Sequence, residues 1–460
     1  VLKVTVQTHE LLSQLRDRVL MDMSRFQVPG VSVGIVWDGV EYTVCEGVTN
    51  HFQPLEVTPD TLFQIGSTTK TVTGTVIMRL VQDGVLELDA PARRYLPDLK
   101  LADENVANTV TVRHLLNHTG GWVGDFFKGF GDGDDALARY VAEVHTMPQI
   151  TPLGSVWHYN NAAFGIAGRV VEVVTGKSFE AATREMILGP LGMMDSHFLP
   201  EEVMLKRFAV GHHLDANGQV QISRPWSLGK SRAPIGLLVS SLRDQLKYAQ
   251  FHLAGNPSVL RDDLRLEMQR PTVKGMLGDR FGVTWWVNDV PDSNGGVTRT
   301  LRHGGATNGQ MSAFCIVPER QFGFTILTNA EKGVYLHGQL SAWIQKHFLG
   351  LEAPQLNRLE LTHAQLEEFA GRYVGHAFGT VIELTVQDGM LIRNVIPGDT
   401  SSVTATPAPP LPPAKCAMFE GEVVQVLEGD AEGLKAEFLR GADGQVVWLR
   451  SGGRLYAKQA

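Results

Sequence analysis

Between residues 9 and 26 the apolar side chains Leu12, Leu15, Val19, Leu20 and Met23 return every three or four positions, the spacing of one helix face. A helix is predicted there, stopped by Pro29-Gly30. The pattern then changes to strands, with Val31 to Trp37, an Asp38-Gly39 turn and Glu41 to Val44 reading as a β-hairpin. Much later, strands are expected at Phe281 to Val287, Thr298 to Arg302, Met311 to Val317 and Phe322 to Thr328, with turn signals at Asn294-Gly295 and Asn308-Gly309. A helix over about 333–348 follows. The long stretch between the two strand groups is helical in pattern. Both ends of one domain therefore feed a single antiparallel sheet around a helical insertion, an α+β arrangement with a cleft where the layers meet.

After Leu351 the character shifts. Val381 to Val386 and Met390 to Val395 alternate, and further strands are expected near Val423 to Leu427, Leu434 to Leu439 and Val446 to Leu449. Residues 352–460 are thus expected to close as a small all-β barrel or sandwich after a first domain spanning residues 1–351. The run from Pro407 to Pro413 reads as a loop between strands.

Composition narrows the function classes. The chain has 460 residues, 43% hydrophobic and 20% charged, enough for more than one core. A net charge of −8 with acids and bases mixed along the chain offers no basic stripe for nucleic acid and no polybasic membrane anchor. The partners implied are small molecules or short peptides. No apolar run reaches the ~18 residues of a membrane span. A start at Val1 leaves room for a removed signal peptide, and the chain as given slightly favours the cytoplasm. Cys45, Cys315 and Cys416 lie far apart with no CxxC spacing. His212-His213 would point apart in a strand, and His114 and His118 lack a third ligand, so neither a metal nor another cofactor is expected.

Two serines are followed by lysine at the third place, Ser67-Thr-Thr-Lys70 and Ser227-Leu-Gly-Lys230. Local physics separates them. After Ser67 the positions Val72, Val76, Ile77, Leu80 and Val81 carry an apolar helix face that stops at Asp83-Gly84, whereas Ser227 sits among Pro225, Gly229 and Pro234 in a loop. At a helix start, residues three apart share a face, so Lys70 can lie beside the Ser67 hydroxyl where free N–H groups also point. A capping serine with a solvated lysine has the same local signature. Two further stretches bear on the choice. Tyr159 and Asn161 precede a helix ending at Gly176, so a phenol and a carboxamide could face one cleft, or Asn161 could cap the helix with Tyr159 in the core. Leu301-Arg-His-Gly-Gly-Ala-Thr-Asn-Gly309 ends a strand where absent side chains let a ligand approach the backbone, or forms an ordinary turn.

Taken in order, SxxK, Tyr-x-Asn and His-Gly-Gly resemble the serine β-lactamase and penicillin-binding protein superfamily, in its class C-like branch of esterases and D-amino-acid peptidases. Thr111 to Gly121 and Gly236 to Asp244 resemble segments of that branch, and Leu366 to Gly375 resembles the opening of the lipocalin-like barrels some members carry. The resemblance implies an acyl-enzyme on Ser67. Lys70 and Tyr159 would share its proton, Asn161 would position Lys70 and the substrate amide, and the N–H groups of Ser67 and Ala306, beside Gly305, would hold the oxyanion. His303 stands where β-lactamases of this superfamily carry the lysine of Lys-Thr-Gly, which favours an esterase or peptidase over a β-lactamase. The alternatives are a penicillin-binding protein or a sensor that stays acylated, and assembly through the C-terminal domain is a further expectation. Substrate choice is expected to rest on residues 122–135 and 223–236.

Overall fold

The computed structural model describes residues 2–293, 295–401, 411–429 and 431–459. Helix α1 (Leu2–Phe26) leads into β1 (Gly30–Trp37) and β2 (Val40–Gly47). Then come the helix after Ser67, α2 (Thr69–Gln82), the helix after Tyr159, α3 (Asn161–Thr175), and α4 (Leu242–Ala254). The late strands are β3 (Val273–Lys274), β4 (Arg280–Phe281), β5 (Trp286–Pro291), β6 (Val297–Ala306), β7 (Met311–Val317) and β8 (Phe322–Thr328), followed by α5 (Gly333–Leu349). They form one antiparallel sheet of eight strands in the order β2-β1-β8-β7-β6-β5-β4-β3. Its central pairing, Val31 with Thr328 through Trp37 with Phe322, joins the two ends of the layer.

Side-chain alternation decides which helices cover which face. Val31, Val33 and Ile35 point with Phe324 and Ile326 toward α1 and α5, where Leu15, Val19, Leu336, Leu340 and Ile344 complete a buried cluster. Val36, Phe314, Ile316 and Leu327 share the other, larger core with Leu242 and Leu246 of α4 and with Val72, Val76 and Ile77 of α2.

The strand expected over Phe281 to Val287 is broken. Gly282 N donates to Trp285 O at 2.9 Å, and Thr284 adopts a left-handed φ of 68°. A Cβ on Gly282 would lie 2.6 Å from Met268 O, so the strand bends where a neighbouring backbone passes. Phe281, Val283, Trp285 and Val287 stay buried through the bend, and Thr284 is buried with them, so the apolar sequence gives no sign of the break.

The C-terminal strands β9 (Gly371–Gly375), β10 (Val381–Gln387), β11 (Met390–Ile396), β12 (Ala414–Phe419), β13 (Val423–Val426), β14 (Lys435–Arg440), β15 (Val446–Ser451) and β16 (Arg454–Lys458) close into a barrel. The three of these absent from the pattern reading are β9, β12 and β16. Closure comes from β9 pairing with β16, Tyr373 opposite Lys458. Asn294 of the Asn294-Gly295 turn and Pro407 to Pro410 of the proline-rich loop lie outside the described residues. Among the described residues no helix is long and apolar enough to cross a membrane.

Barrel and sheet layer are pinned together by buried polar contacts. Arg450 donates to Glu437 Oε1 at 2.9 Å, to Trp157 O at 2.7 Å and to Gly275 O at 2.8 Å, while Leu277 N donates to the same Glu437 oxygen at 2.9 Å. With its charge matched and its donors used, this guanidinium is tolerated at 4% exposure.

Candidate active site

Ser67 lies in a single 3-10 turn, Gly66–Thr68, that runs directly into α2. The turn is tied to its surroundings on both sides: Ser312 Oγ donates to Ile65 O at 2.7 Å and lies 2.8 Å from Thr68 Oγ1, and Thr69 Oγ1 donates to Gly66 O at 2.7 Å. Of the 14 residues of α2, 11 are buried, so the helix runs through the interior. Its threonines, poor helix formers in isolation, are kept by tertiary bonds, Thr73 Oγ1 to Pro234 O at 2.7 Å and Thr75 Oγ1 with the Tyr248 hydroxyl at 2.8 Å.

Lys70 has no exposed surface. Its Nζ lies 3.0 Å from Ser67 Oγ and 2.7 Å from Ile235 O, and 5.1 Å from the centre of the Tyr159 ring. Burial, reinforced by the positive charge of Arg454, drives the Lys70 pKa well below the usual lysine value against the pull of Asp125. Burial pushes the Tyr159 pKa up to about 12, with the neighbouring Ser67 hydroxyl and Arg454 pulling the other way. Hydroxyl, amine and phenol therefore converge at one point of the cleft.

Asn161 is the first residue of α3, but the cap is its neighbour: Asn160 Oδ1 accepts from Ala163 N at 2.9 Å. The Asn161 amide donates to Asp125 Oδ1 at 2.6 Å, whereas the hydrogen bonds of Lys70 go to Ser67 and Ile235. Asn161 thus reaches Lys70 only through the field of Asp125.

On the opposite wall, the end of β6 packs backbone to backbone against the Ser67 turn. A Cβ on Gly305 would sit 1.9 Å from Ile65 O and 2.8 Å from Ser67 N, and one on Gly66 would sit 2.6 Å from Ala306 N. Only glycine permits this approach, which brings the main chain of Ala306 alongside that of Ser67. His303 is 3% exposed, its Nδ1 donating to Gly304 O at 2.7 Å, which leaves Nε2 a buried acceptor without a partner among the described residues. Burial, followed by the Lys70 charge, lowers its pKa to about 3, so His303 is neutral at pH 7.

Four residues escaped the sequence reading. Arg454, on the barrel strand β16, pairs with Asp125 through Nε at 2.9 Å and Nη2 at 3.1 Å and stands 4.7 Å over the Tyr159 ring. Gly453 O accepts from Tyr159 N at 2.8 Å. Burial works against the Asp125 carboxylate, but Arg454 and Asn161 outweigh it and hold its pKa below the ordinary aspartate value. His118 accepts from Asn160 N through Nδ1 at 2.9 Å, accepts from His158 N through its carbonyl at 3.1 Å, and stacks on Tyr159 with ring centres 4.4 Å apart. It fixes the loop that carries the phenol. Asp125 lies in the 122–135 stretch expected to set substrate choice; Arg454 and Gly453 gave no local signal, and the i, i+4 spacing of His114 and His118, weighed only for a metal and set aside, said nothing of a backbone clamp. The other SxxK is spread along a loop, with Lys230 paired to Asp134.

These elements enclose a cleft of about 990 Å³. Every cation on its wall is engaged: Arg454 with Asp125, Arg302 with Asp279, and Arg232 with the Phe127 carbonyl and ring.

A serine and a buried lysine of one SxxK turn beside a phenol are the working parts of a serine hydrolase. Residues 15–342 match the family model described as Beta-lactamase, and the chain belongs to that family. It is 32% identical over 337 residues to "Penicillin-binding protein 4" of Amycolatopsis lactamdurans, covering 72% of this chain and 88% of that one. It is 35% identical over 187 residues to "Esterase EstB" of Burkholderia gladioli, covering 37% of this chain and 47% of that one. The solved structure of SurE with D-Leu superposes with a TM-score of 0.74 at 22% identity, over 99% of this chain and 100% of that one.

Proposed function

We propose that the protein hydrolyses esters or amides whose acyl part carries no carboxylate beside the scissile bond, through an acyl-enzyme on Ser67. The carrying observation is that Ser67 Oγ sits between a buried Lys70 amine at 3.0 Å and the Tyr159 phenol. Opposite them His303 is uncharged and every cation on the cleft wall is already engaged.

A neutral Lys70 amine, freed of its proton by burial, takes the proton of Ser67 as Oγ attacks the substrate carbonyl. The oxyanion is received by the N–H groups of Ser67 and Ala306, which the contact at Gly66 and Gly305 holds together. Tyr159, with a pKa near 12 and thus protonated, delivers a proton to the leaving group. Water then follows the same path in reverse to release the acid. A substrate carboxylate would have to compete with Asp125 for Arg454, with Asp279 for Arg302 or with the Phe127 carbonyl for Arg232, which disfavours carboxypeptidase and β-lactam chemistry. Homology to an esterase over part of the chain supports the ester arm.

The test is a panel of p-nitrophenyl esters, aminoacyl p-nitroanilides of both chiralities and nitrocefin, run on wild type and Ser67→Ala. Ester or anilide turnover lost in Ser67→Ala, with little nitrocefin hydrolysis, is the expected result. Turnover that survives Ser67→Ala overturns the assignment, and a persistent adduct by mass spectrometry without product release would make the protein an acylated sensor.

A further inference from the structure

The barrel is not filled. Leu366, Phe369, Tyr373 and Phe438 pack together in its core, yet the barrel wall also borders a cavity of about 530 Å³. That is the size of a ligand pocket, roughly 300–1,000 Å³. Its wall is mostly aliphatic, with Leu384, Val424, Val426 and Leu449 from the barrel and Met276 and Leu277 from the β3–β4 turn laid over the mouth. Leu277 is held there by its bond to Glu437 despite a left-handed φ of 55°.

Two features say what enters. Ser451 and Gly452, at the β15–β16 turn, line both this cavity and the reaction cleft, so only the rim of the barrel separates Ser67 from the aliphatic space. Arg393 points inward near Tyr456 and Tyr335 with its pKa lowered by burial. It forms no ion pair among the described residues, so an occupant presenting a carbonyl would give it an acceptor.

We infer that the barrel cavity is a subsite for an aliphatic chain of the substrate, entering from the cleft over Gly452, with Arg393 donating to a carbonyl on that chain. The preferred substrates are thus esters or amides extended by a fatty acyl or alkyl tail. The inference rests on the proposed hydrolysis for its meaning but not for its test.

The test uses the intact Ser67→Ala protein, titrated calorimetrically with N-acyl alanine anilides of four to ten acyl carbons, beside a p-nitrophenyl ester series on wild type. Affinity and kcat/KM should both rise about fourfold per added methylene until the cavity is full. Ala436→Phe, which fills the cavity from its wall, should flatten both slopes while a thermal melt verifies folding. Absence of a chain-length slope in the wild-type series and in the titration overturns the inference, as does a slope that persists in folded Ala436→Phe. Decanoate that binds but leaves decanoyl ester hydrolysis unchanged overturns it too, since the cavity would then not be reached from Ser67. A slope in the titration with no turnover anywhere would leave the subsite standing and the hydrolysis reading fallen.

Discussion

Arg454 of the barrel and Asp125 of the catalytic layer, 329 residues apart in sequence, form a two-pronged ion pair at 2.9 and 3.1 Å beside the Tyr159 ring. The guanidinium side chain keeps 39% of its surface, so its worth lies less in stability than in the field it puts on Lys70 and Tyr159. Arg454→Met should lower kcat/KM about tenfold at pH 7 and move the rising limb of the pH profile upward, because one charge disfavouring protonated Lys70 is gone. Arg454→Lys should recover part of both effects. A profile that does not move would separate Arg454 from the chemistry.

The sign of the pH dependence follows from Lys70 itself. Burial places its pKa well below 10.5, and only the neutral amine accepts the Ser67 proton, so kcat/KM should climb as pH rises through that depressed value and then level. The same group makes folding less favourable below pH 10.5, where the unfolded chain binds a proton that the native site refuses. Lys70→Met should therefore be at least as stable as wild type at pH 7 while losing turnover, measured by urea melts beside the kinetics.

Gly305→Ala would force a Cβ to within 1.9 Å of Ile65 O. The two backbones must part, and the N–H groups assigned to the oxyanion part with them. A fall of about 10²–10³-fold in kcat is expected, with a smaller change in KM, in steady-state assays.

Acid should unfold the protein early. His252, His303 and His337 are buried with pKa values lowered to about 3, and His158 to about 4, while each binds its proton near pH 6.5 when unfolded. Their contribution is complete above pH 6.5 and is lost as pH falls toward 4 and 3, at about 1.4 kcal/mol per pH unit for each proton. His252 packs against Tyr248 and Trp285, with neither ring nitrogen bonded among the described residues. His252→Leu should remove one proton from that slope in urea melts between pH 7 and 4.

The fold was legible along β1 and β8 because short, largely apolar runs bounded by turn signals match strands buried on both faces of the sheet. It was misread at Phe281 to Val287, where a backbone passing behind Gly282 bends the strand without disturbing the pattern. Strand β16 was missed because it is short and offers only Leu455 and Ala457 between Arg454, Tyr456 and Lys458, and the partners of both cations lie on other elements. The catalytic candidates were found because Ser67 and Lys70 share one helix turn and Tyr159 heads another. Asp125, Gly453 and Arg454 were not, since their meaning exists only once the barrel has docked.

Chain order gives that docking a timetable. On the ribosome the nucleophile helix emerges on the order of tens of seconds before Arg454, at about 5–20 residues per second. Until β16 is made, β9 has no partner to close the barrel, Tyr159 N lacks Gly453 and Asp125 lacks its cation. A nascent or prematurely released chain therefore carries the serine without its finished surroundings, and the cell meets the competent hydrolase only after the barrel has been synthesised.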